Sequence, residues 1–489
     1  MGIILKEHVS HKLTITEEKS LFESERDKHL FCSSDQLIEI LPRTFKKERG
    51  KEYFCFNKHQ ISEKEITLYS DYFVGVDWLT KDKSRYIQVE PKLNSKAIES
   101  FEEVFDKEIE NITDDEIEQL NEIAKKEIKT SNQEYEVDVI GMLMQIMVHP
   151  EVSKHTDHLL LIDWEDKEIE ITQKQDLLTP FLVVQFLHLL KEITRKGLKK
   201  SYYKKQENLR NRVKGKILVG EQIKQNIFKN RLTNTVCEYQ VFGEDSLENR
   251  FLNKVFIFCT NYVENHNIYF KEKNNISWFI NYIRPSFEHI GTDINLQEIR
   301  NYKHNPFFKE YKEAIKIGQQ ILKRFSYNIT KTTEEKISTP PFWIDMPKIF
   351  ELYVYAQFLK DNPELQAKNF NYQFSTNGNA LDFLICTSEK KIVVDTKYKL
   401  KYNYSEIHDD IRQVAGYARL NKVRNQSPQS SDEVPCLIIY PKPIETEVNT
   451  KLVINNLPVE KINAYHKVCK IGINLPTINE THQSTSQTQ

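Results

Sequence analysis

The 489-residue sequence lacks the cysteine pattern of a zinc site or of a disulfide-stabilised protein. It contains 7 cysteines, and no two of them form a Cys-x-x-Cys pair. An odd number of scattered cysteines without ligand spacing argues against structural zinc and against a disulfide framework. We therefore expect most of them to be small, inert core residues.

Long apolar runs are also absent, so the sequence predicts no membrane span and no membrane partner. The longest run, FLVVQFLHLL at 181–190, contains Gln and His and is shorter than the roughly 18 residues that cross a bilayer. The N-terminus, MGIILKEHVSHKL, lacks the basic start, long apolar core and cleavage site of a signal peptide. These features predict a cytoplasmic protein.

The chain has little net charge, −2, but the charge is distributed unevenly. Residues 98–137 are acidic with a helical pattern, whereas residues 195–216 contain ten Lys or Arg and one Glu. The basic segment is consistent with a solvated helix face. Because Tyr202 and Tyr203 interrupt it, it is also consistent with contacts to a DNA backbone. The DNA-contact candidates are Lys199, Lys200, Lys204, Lys205, Arg210 and Arg212.

A chain of this length exceeds one compact core, so we expect several domains. The polar, Thr-rich segment 327–343, which contains Pro340-Pro341, is the best candidate boundary. The predicted organisation is α+β and multidomain, with a β-rich N-terminal region at 1–95, a mainly helical middle region at 96–330, an α/β domain at 331–475 and a disordered tail at 476–489. Periodicity predicts helices at 98–130, 139–149, 176–206, 249–266, 307–325, 347–360 and 406–421, a short strand leading into a helix or extended segment at 213–226, and strands at 380–386, 391–399 and 435–440.

Within the α/β domain, the stretch KKIVVDTKYK at 390–399 places an acid and a base at the end of an apolar strand. If it forms a hairpin with strand 380–386 through a loop at Ser388 and Glu389, the numbers of opposed residues sum to 777. Asp382 then lies opposite Asp395, and Lys397 shares their face. A slip of one residue would separate the two acids.

Two facing carboxylates repel each other unless a cation lies between them. Lys397 could be that cation, which would make the cluster a surface salt bridge. A divalent cation is the alternative, and two hard carboxylates with room for water and phosphate suit Mg²⁺ or Mn²⁺. Such an ion activates water and polarises a phosphoryl oxygen, and Lys397 could then stabilise the developing charge.

Two neighbouring helices carry further candidates for the same site. Glu351 lies in an apolar, aromatic-rich helix, where a buried acid requires a cation or hydrogen-bond donors. The alternative is that Glu351 faces solvent beside Lys348. Downstream, Gln413 and Tyr417 are four residues apart and share one helix face, which is also typical of a partly buried helix surface.

Together these residues resemble the PD-(D/E)xK nuclease fold in its McrC version, the nuclease subunit of the McrBC-type modified-cytosine restriction system. Leu381 stands where the superfamily often has Pro before the first strand acid. The resemblance implies Mg²⁺ (or Mn²⁺) held by Asp382, Asp395 and the backbone carbonyl of Thr396, with Glu351 as a further candidate ligand. The implied catalytic residues are Glu351 on the first core helix, Asp382, the DxK pair Asp395 and Lys397, and the Q-x-x-x-Y pair Gln413 and Tyr417.

The resemblance also covers segments 72–93 and 212–255, and loosely spans residues 60–450. It implies a prokaryotic cytoplasmic endonuclease subunit that cuts double-stranded, modified DNA. Its N-terminal half would dock on an McrB-like AAA+ GTPase hexamer, or a related NTPase, and stimulate nucleotide hydrolysis. The chain has no Gly-x-x-x-x-Gly-Lys-Ser/Thr phosphate loop, so NTP hydrolysis must come from another chain. The acidic helix around 100–137 is a candidate insertion.

Two other functions remain open from the sequence. The chain could be a non-catalytic activator of an AAA+ motor with a vestigial nuclease domain, or a stand-alone RecB-like nuclease. The intact acid pair with Lys397 argues against the first alternative. Cutting by the purified chain with Mg²⁺ alone would favour the second.

Overall fold

A computed structural model describes the chain from residue 2 to residue 478. The segments that it leaves undescribed are 8–9, 17–28, 32–39, 49–50, 63–64, 71, 95–133, 173–175, 267–269, 271–272, 295–298, 300–307, 326–335, 377–378, 389, 399–403, 426–433, 443–449 and 463–464. The predicted helix at 98–130, and with it most of the acidic segment, therefore lies outside the described residues.

The chain divides into two compact units. Unit 1 comprises Met1–Ile171 and Ser338–Gln489, and unit 2 comprises Thr172–Ile337. The predicted boundary at 330/331 lies close to the observed one at 337/338, but residues 1–95 do not form a separate unit. Helices and strands are mixed, as expected for an α+β multidomain chain.

The elements are numbered in chain order. From Gly2 to Thr172 they are β1 (Gly2–Lys6), β2 (Ser10–Thr16), β3 (His29–Phe31), β4 (Thr44–Glu48), β5 (Lys51–Phe54), β6 (Asn57–Ser62), β7 (Glu65–Tyr69), β8 (Phe73–Trp78), β9 (Tyr86–Glu90), β10 (Lys92–Asn94), β11 (Glu134–Val137), α1 (Val139–Val148), α2 (Pro150–Ser153), β12 (Leu160–Ile162) and β13 (Ile169–Thr172). From Leu178 to Arg324 they are α3 (Leu178–Lys196), β14 (Ser201–Arg210), β15 (Lys216–Ile217), α4 (Val219–Gln222), a π-helical turn (Ile223–Ile227), β16 (Asn234–Gly243), α5 (Leu247–Asn265), α6 (Lys273–Phe287) and α7 (Lys309–Arg324). From Lys336 onwards they are β17 (Lys336–Thr339), β18 (Phe342–Asp345), α8 (Met346–Asp361), β19 (Tyr372–Thr376), β20 (Asn379–Cys386), β21 (Lys391–Thr396), α9 (Tyr404–Ala418), α10 (Asn421–Arg424), β22 (Cys436–Lys442), β23 (Glu460–Lys461), β24 (Val468–Asn474) and β25 (Thr477–Ile478).

The N-terminal part of unit 1 is built around a five-stranded sheet in the order β1-β9-β8-β18-β12. Strand β18 begins at the end of the predicted boundary segment 327–343, yet it pairs with β8 and β12 inside this sheet. Its Phe342, Trp343 and Ile344 are fully buried, and this burial explains the pairing. The two strands approach closely at Gly75, where a Cβ would lie 2.1 Å from the Phe342 carbonyl oxygen.

The C-terminal part of unit 1 contains a six-stranded mixed sheet in the order β19-β20-β21-β22-β24-β23. Helix α9 packs on one face, where Ile411 and Val414 join Leu384 and Val393 in a single core. Helix α8 packs on the other face, because its aromatic side chains contact Phe383, the residue before Leu384. The two helices therefore flank β20 and β21 from opposite sides.

Unit 2 combines helices α3, α5, α6 and α7 with a three-stranded antiparallel sheet in the order β14-β16-β15. The predicted helix at 176–206 is wrong beyond Lys196. Gly197 has a φ of 89° and ends α3, and the chain continues as strand β14. The helices predicted at 249–266 and 307–325 are confirmed as α5 and α7.

Two further expectations concern the chain end and the membrane. The predicted disordered tail begins too early, since Thr477–Ile478 forms strand β25 and pairs with β11. The remainder of that tail lies outside the described residues. Among the helices of the described segments, none combines the length and the apolar character that crossing a bilayer requires.

Candidate active site

Helix α8 holds Glu351 in a largely apolar environment. Asp345 caps the helix by accepting a hydrogen bond from the Lys348 backbone N–H at 3.0 Å, and Pro347 occupies the first turn. The helix is buried on nearly all sides, and Glu351 is 9% exposed. The interpretation that Glu351 faces solvent is therefore excluded by the fold.

The predicted hairpin register is confirmed. Phe383 pairs with Val394 and Cys386 pairs with Lys391, which is the expected sum of 777. Continued by one pair, this register sets Asp382 opposite Asp395. Thr396 donates both its backbone N–H and its hydroxyl to Asp382 Oδ2, each at 2.7 Å, which fixes the orientation of that carboxylate at the strand end.

The ammonium of Lys397 lies close to oxygen atoms of three side chains, two carboxylates and one amide. Its Nζ is 2.8 Å from Asp395 Oδ2 and 3.4 Å from Asp410 Oδ1. It also donates to Gln413 Oε1 at 3.2 Å, and Gln413 Nε2 in turn donates to the Tyr417 hydroxyl at 2.7 Å. Helix α9 thus positions the lysine through two of its side chains.

The electrostatics of the cluster favour an additional cation. Burial, and then repulsion by Asp382, raise the pKa of Asp395 to about 7. The same two causes in the same order raise the pKa of Glu351 to about 7. Burial opposes the charge of Lys397, yet Asp395 and Asp410 raise the pKa of its ammonium above the ordinary value. Acidic groups outnumber cations here, so the ionised carboxylates are under-compensated.

The carboxylate oxygens of Asp382 and Asp395 are donors of the kind that a hard divalent cation prefers. Asp395 Oδ2 is buried and accepts no hydrogen bond of good geometry, although the Lys397 ammonium lies beside it. Within the described segments, no group of three or more His, Cys, Asp or Glu residues is arranged to hold a metal ion. Two carboxylates with room for water suit Mg²⁺ or Mn²⁺ better than zinc, which prefers a closed set of nitrogen and sulfur ligands.

The structure adds one acid to the site that the sequence reading did not single out. Asp410 is buried and contacts Lys397. It precedes Gln413 by three residues and Tyr417 by seven, so the three side chains share one face of α9. That spacing is the signal that could have identified Asp410.

The basic residues predicted to contact DNA lie in unit 2, on and beside β14, which is a strand instead of a helix face. Lys199 forms a buried ion pair with Glu248, which is typical of a lysine that stabilises the fold. Arg210 and Arg212 are exposed. The other three candidate lysines each form an ion pair with a glutamate. These pairs are Lys200 with Glu244 at 3.6 Å, Lys204 with Glu238 at 3.4 Å and Lys205 with Glu207 at 3.5 Å.

Just beyond the DxK segment, Tyr398 contacts Glu7, the residue that follows β1. Its hydroxyl donates to Glu7 Oε2 at 2.7 Å, and both side chains are buried. Burial raises the pKa of Glu7 to about 8, although the Tyr398 hydrogen bond acts in the opposite direction. The folded chain therefore keeps a proton that the unfolded chain releases above its ordinary pKa of 4.5.

A Glu7→Gln variant should be more stable than the parent at alkaline pH. Between pH 4.5 and about 8 the folded state binds more protons at residue 7 than the unfolded state does. The free energy of unfolding of the parent therefore decreases as pH rises through that window. Gln stays neutral and still accepts the Tyr398 hydrogen bond. We expect similar melting temperatures at about pH 5 and a higher one for the variant at about pH 9. An identical pH dependence in both proteins would contradict this assignment.

Comparison with known proteins identifies a family. The family model described as "McrBC 5-methylcytosine restriction system component" matches residues 30–441, which is most of the chain. No curated protein matches it.

Two solved structures show low similarity to the chain. One is a half-complex from a tetradecameric assembly of Thermococcus gammatolerans McrB AAA+ hexamers with bound McrC. It is 12% identical, with coverage of 97% of this chain and 94% of that chain and a TM-score of 0.34. The other is the cryo-EM structure of the Thermococcus gammatolerans McrBC complex, 11% identical, covering 84% and 97%, with a TM-score of 0.26. The family assignment rests on the family model: this chain belongs to the McrBC 5-methylcytosine restriction system component family.

Proposed function

We propose that this chain is the endonuclease subunit of an McrBC-like, modification-dependent restriction system, and that its C-terminal sheet is a PD-(D/E)xK nuclease domain. The observation that carries the proposal is the buried carboxylate of Asp395, which lies beside Lys397 near the end of a strand. The hairpin register, continued by one pair, places Asp382 opposite it. The six-stranded mixed sheet with helices on both faces is a suitable scaffold for it. The reaction is phosphodiester hydrolysis in double-stranded, modified DNA.

The roles of the residues follow from their positions. Asp382, Asp395 and the backbone carbonyl of Thr396 would hold Mg²⁺ or Mn²⁺, with Glu351 as a further ligand candidate. Such an ion polarises a phosphoryl oxygen and lowers the pKa of bound water when present. Lys397 presents a positive charge beside the carboxylates, where it can orient the attacking water and stabilise charge developing on the phosphate.

Helix α9 orients the Lys397 side chain for this chemistry. Gln413 accepts a hydrogen bond from Lys397 and is itself held by Tyr417. The lysine is therefore kept beside Asp395 in the absence of substrate. This arrangement reduces the reorganisation needed when phosphate arrives.

We assign partner docking to a segment of unit 2 that we call the tip, residues 211–234 between β14 and β16. The tip exposes many large apolar side chains, and Phe228 and Leu232 are each 79% exposed. The other exposed members are Val213, Ile217, Val219, Ile223 and Ile227. An apolar surface of this kind on a folded protein is typical of a protein interface. The proposed partner is an McrB-like AAA+ GTPase hexamer, or a related NTPase, whose hydrolysis the chain stimulates.

The tip is connected to β14 by hydrogen bonds of a buried side chain. Asn226 is fully buried within the π-helical turn and exchanges two amide hydrogen bonds with Asn208, each at 2.9 Å. The same amide nitrogen lies 2.8 Å from Gln222 Oε1 and 3.1 Å from the Asn234 carbonyl oxygen, so its two hydrogens are shared among three acceptors. A preorganised apolar surface loses less conformational entropy on binding, which favours a docking role.

Reconstitution distinguishes this function from its alternatives. The purified chain is incubated with methylated plasmid, with and without Mg²⁺, and with and without the AAA+ partner and GTP. We expect cleavage only with all components present. Stimulated hydrolysis without cleavage would favour a non-catalytic activator, and efficient cleavage by the chain with Mg²⁺ alone would favour a stand-alone nuclease. Unmethylated plasmid is the control for dependence on modification.

A further inference from the structure

Strand β19 contains a backbone conformation that its sequence does not explain. Gln373 has a φ of 53°, in the left-handed region, although it is neither Gly nor Asn. The ladder pairs on either side of it are intact, Tyr372 with Phe383 and Phe374 with Leu381. Gln373 therefore lies opposite Asp382 in the register. A residue held in this region against its preference is often found at a functional site.

The side chain of Gln373 reaches the acid of the neighbouring helix. Its Nε2 donates to Glu351 Oε1. The other carboxylate oxygen, Oε2, lies 3.5 Å from the ammonium of Lys348, which also donates to the Tyr372 hydroxyl. One oxygen of Glu351 is thus bound by a side chain of β19, and the other faces a lysine of α8 that β19 holds through Tyr372.

Aromatic packing holds the Tyr372 side chain in place. The Tyr372 ring stacks on Tyr355 with ring centroids 5.1 Å apart and an interplanar angle of 14°. The ring of His155 packs against Tyr372 at 4.5 Å. Glu351 is consequently presented toward a cluster that already contains Asp382, and its carboxylate has little freedom to rotate away from that charge.

We propose that Gln373 is a positioning residue that orients the Glu351 carboxylate for divalent-cation binding. The inference deepens the proposed function and rests on it. Residues that orient a metal ligand through hydrogen bonds typically change metal affinity or activity by about 10–100-fold when removed. The left-handed backbone of Gln373 is the conformation in which its side chain makes this contact.

The test uses Gln373→Gly in the full-length chain, because Gly removes the amide and tolerates the positive φ. We expect an unchanged or higher melting temperature in EDTA. Isothermal titration with Mn²⁺ should show about 10-fold weaker binding, and cleavage of methylated plasmid with the partner should need correspondingly more Mg²⁺. In a Glu351→Gln background the same substitution should have no further effect on Mn²⁺ affinity.

Asn371→Gly is the matched control. Asn371 lies two residues away, also has a positive φ, 36°, but its amide donates to the Leu384 carbonyl. It should leave Mn²⁺ affinity unchanged. Equal Mn²⁺ affinity in the parent and Gln373→Gly would overturn the inference, as would a parent that binds no Mn²⁺. If the parent binds Mn²⁺ but never cleaves DNA, the nuclease function fails, and a weaker affinity in Gln373→Gly still supports the positioning role.

Discussion

An Asp395→Asn variant is expected to lose at least about 100-fold in DNA cleavage and to lose divalent-cation binding with it. Loss of an outer partner of a metal ligand alone costs about 10–100-fold, and Asp395 is assigned as a ligand itself. Without metal the same variant should not be destabilised. Burial and Asp382 raise the pKa of Asp395 to about 7, so stability decreases as pH rises from 3.8 through that value. An uncharged amide removes this penalty.

Lys397→Met should lose cleavage for a different reason. The ammonium is assigned to the charge that develops on phosphate, and loss of such a group typically lowers kcat by about 10²–10³-fold. Since the same ammonium lies 2.8 Å from Asp395 Oδ2, its removal takes a competing positive charge away from that carboxylate. We therefore expect Mn²⁺ affinity to be retained or increased. The two variants separate cation binding from catalysis.

Plasmid cleavage with the AAA+ partner, Mn²⁺ titration calorimetry and melting in EDTA measure these effects. Asp409→Asn is the matched control, because Asp409 lies on the same helix as Asp410 but its side chain is 74% exposed. Stimulation of the partner's NTPase should survive in all three variants. Cleavage at the parental rate by Asp395→Asn would refute the assigned site.

Phe228→Asp and Leu232→Asp are each expected to weaken partner docking without affecting the fold. Each side chain is 79% exposed in the tip, so the substitution buries no charge in the isolated chain. In a complex, the charge would be placed in an apolar interface. A hot-spot residue contributes about 2 kcal/mol or more, which corresponds to roughly a 30-fold loss of affinity for each variant. NTPase stimulation should fall in parallel.

Affinity for the AAA+ partner is measured by biolayer interferometry, and stimulation by phosphate release. Val459→Asp provides the control, because Val459 is 42% exposed and lies in unit 1, outside the tip. Mn²⁺ binding by the tip variants should match the parent. Full stimulation by the double variant Phe228→Asp, Leu232→Asp would show that docking uses another surface.

The periodicity of the sequence was sufficient to predict several helices and strands near the site. Helix α8 and the hairpin of β20 and β21 follow from apolar spacing and from a short loop, because the pleat has a fixed period of two. The register of this hairpin could therefore be counted from the sequence, and it is observed from Phe383–Val394 to Cys386–Lys391. Continued by one pair, it places Asp382 opposite Asp395. The pairing of Gln413 with Tyr417 likewise follows from helical spacing.

Other features depend on contacts between distant residues. The segment containing Tyr202 and Tyr203 has the charge density of a solvated helix, but pairing with β16 makes it a strand. Asp410 became a site residue only because α9 packs over β21 and brings it to Lys397. A boundary between the two compact units lies at 337/338, a few residues before Pro340-Pro341, and β18 immediately after these prolines joins the N-terminal sheet.

The sequence by itself determined the hairpin register and the helical spacing that relate most of the candidate acids, since those depend on local period and spacing. The tertiary structure decided the burial of Glu351 and Asp395, the oxygen atoms around Lys397 and the left-handed conformation of Gln373. Burial and the positions of neighbouring charges set the electrostatics of a carboxylate, and both come from elements far apart in the chain. For that reason, whether "KKIVVDTKYK" ends in a surface salt bridge or in a buried, under-compensated acid site could be read only from the folded protein.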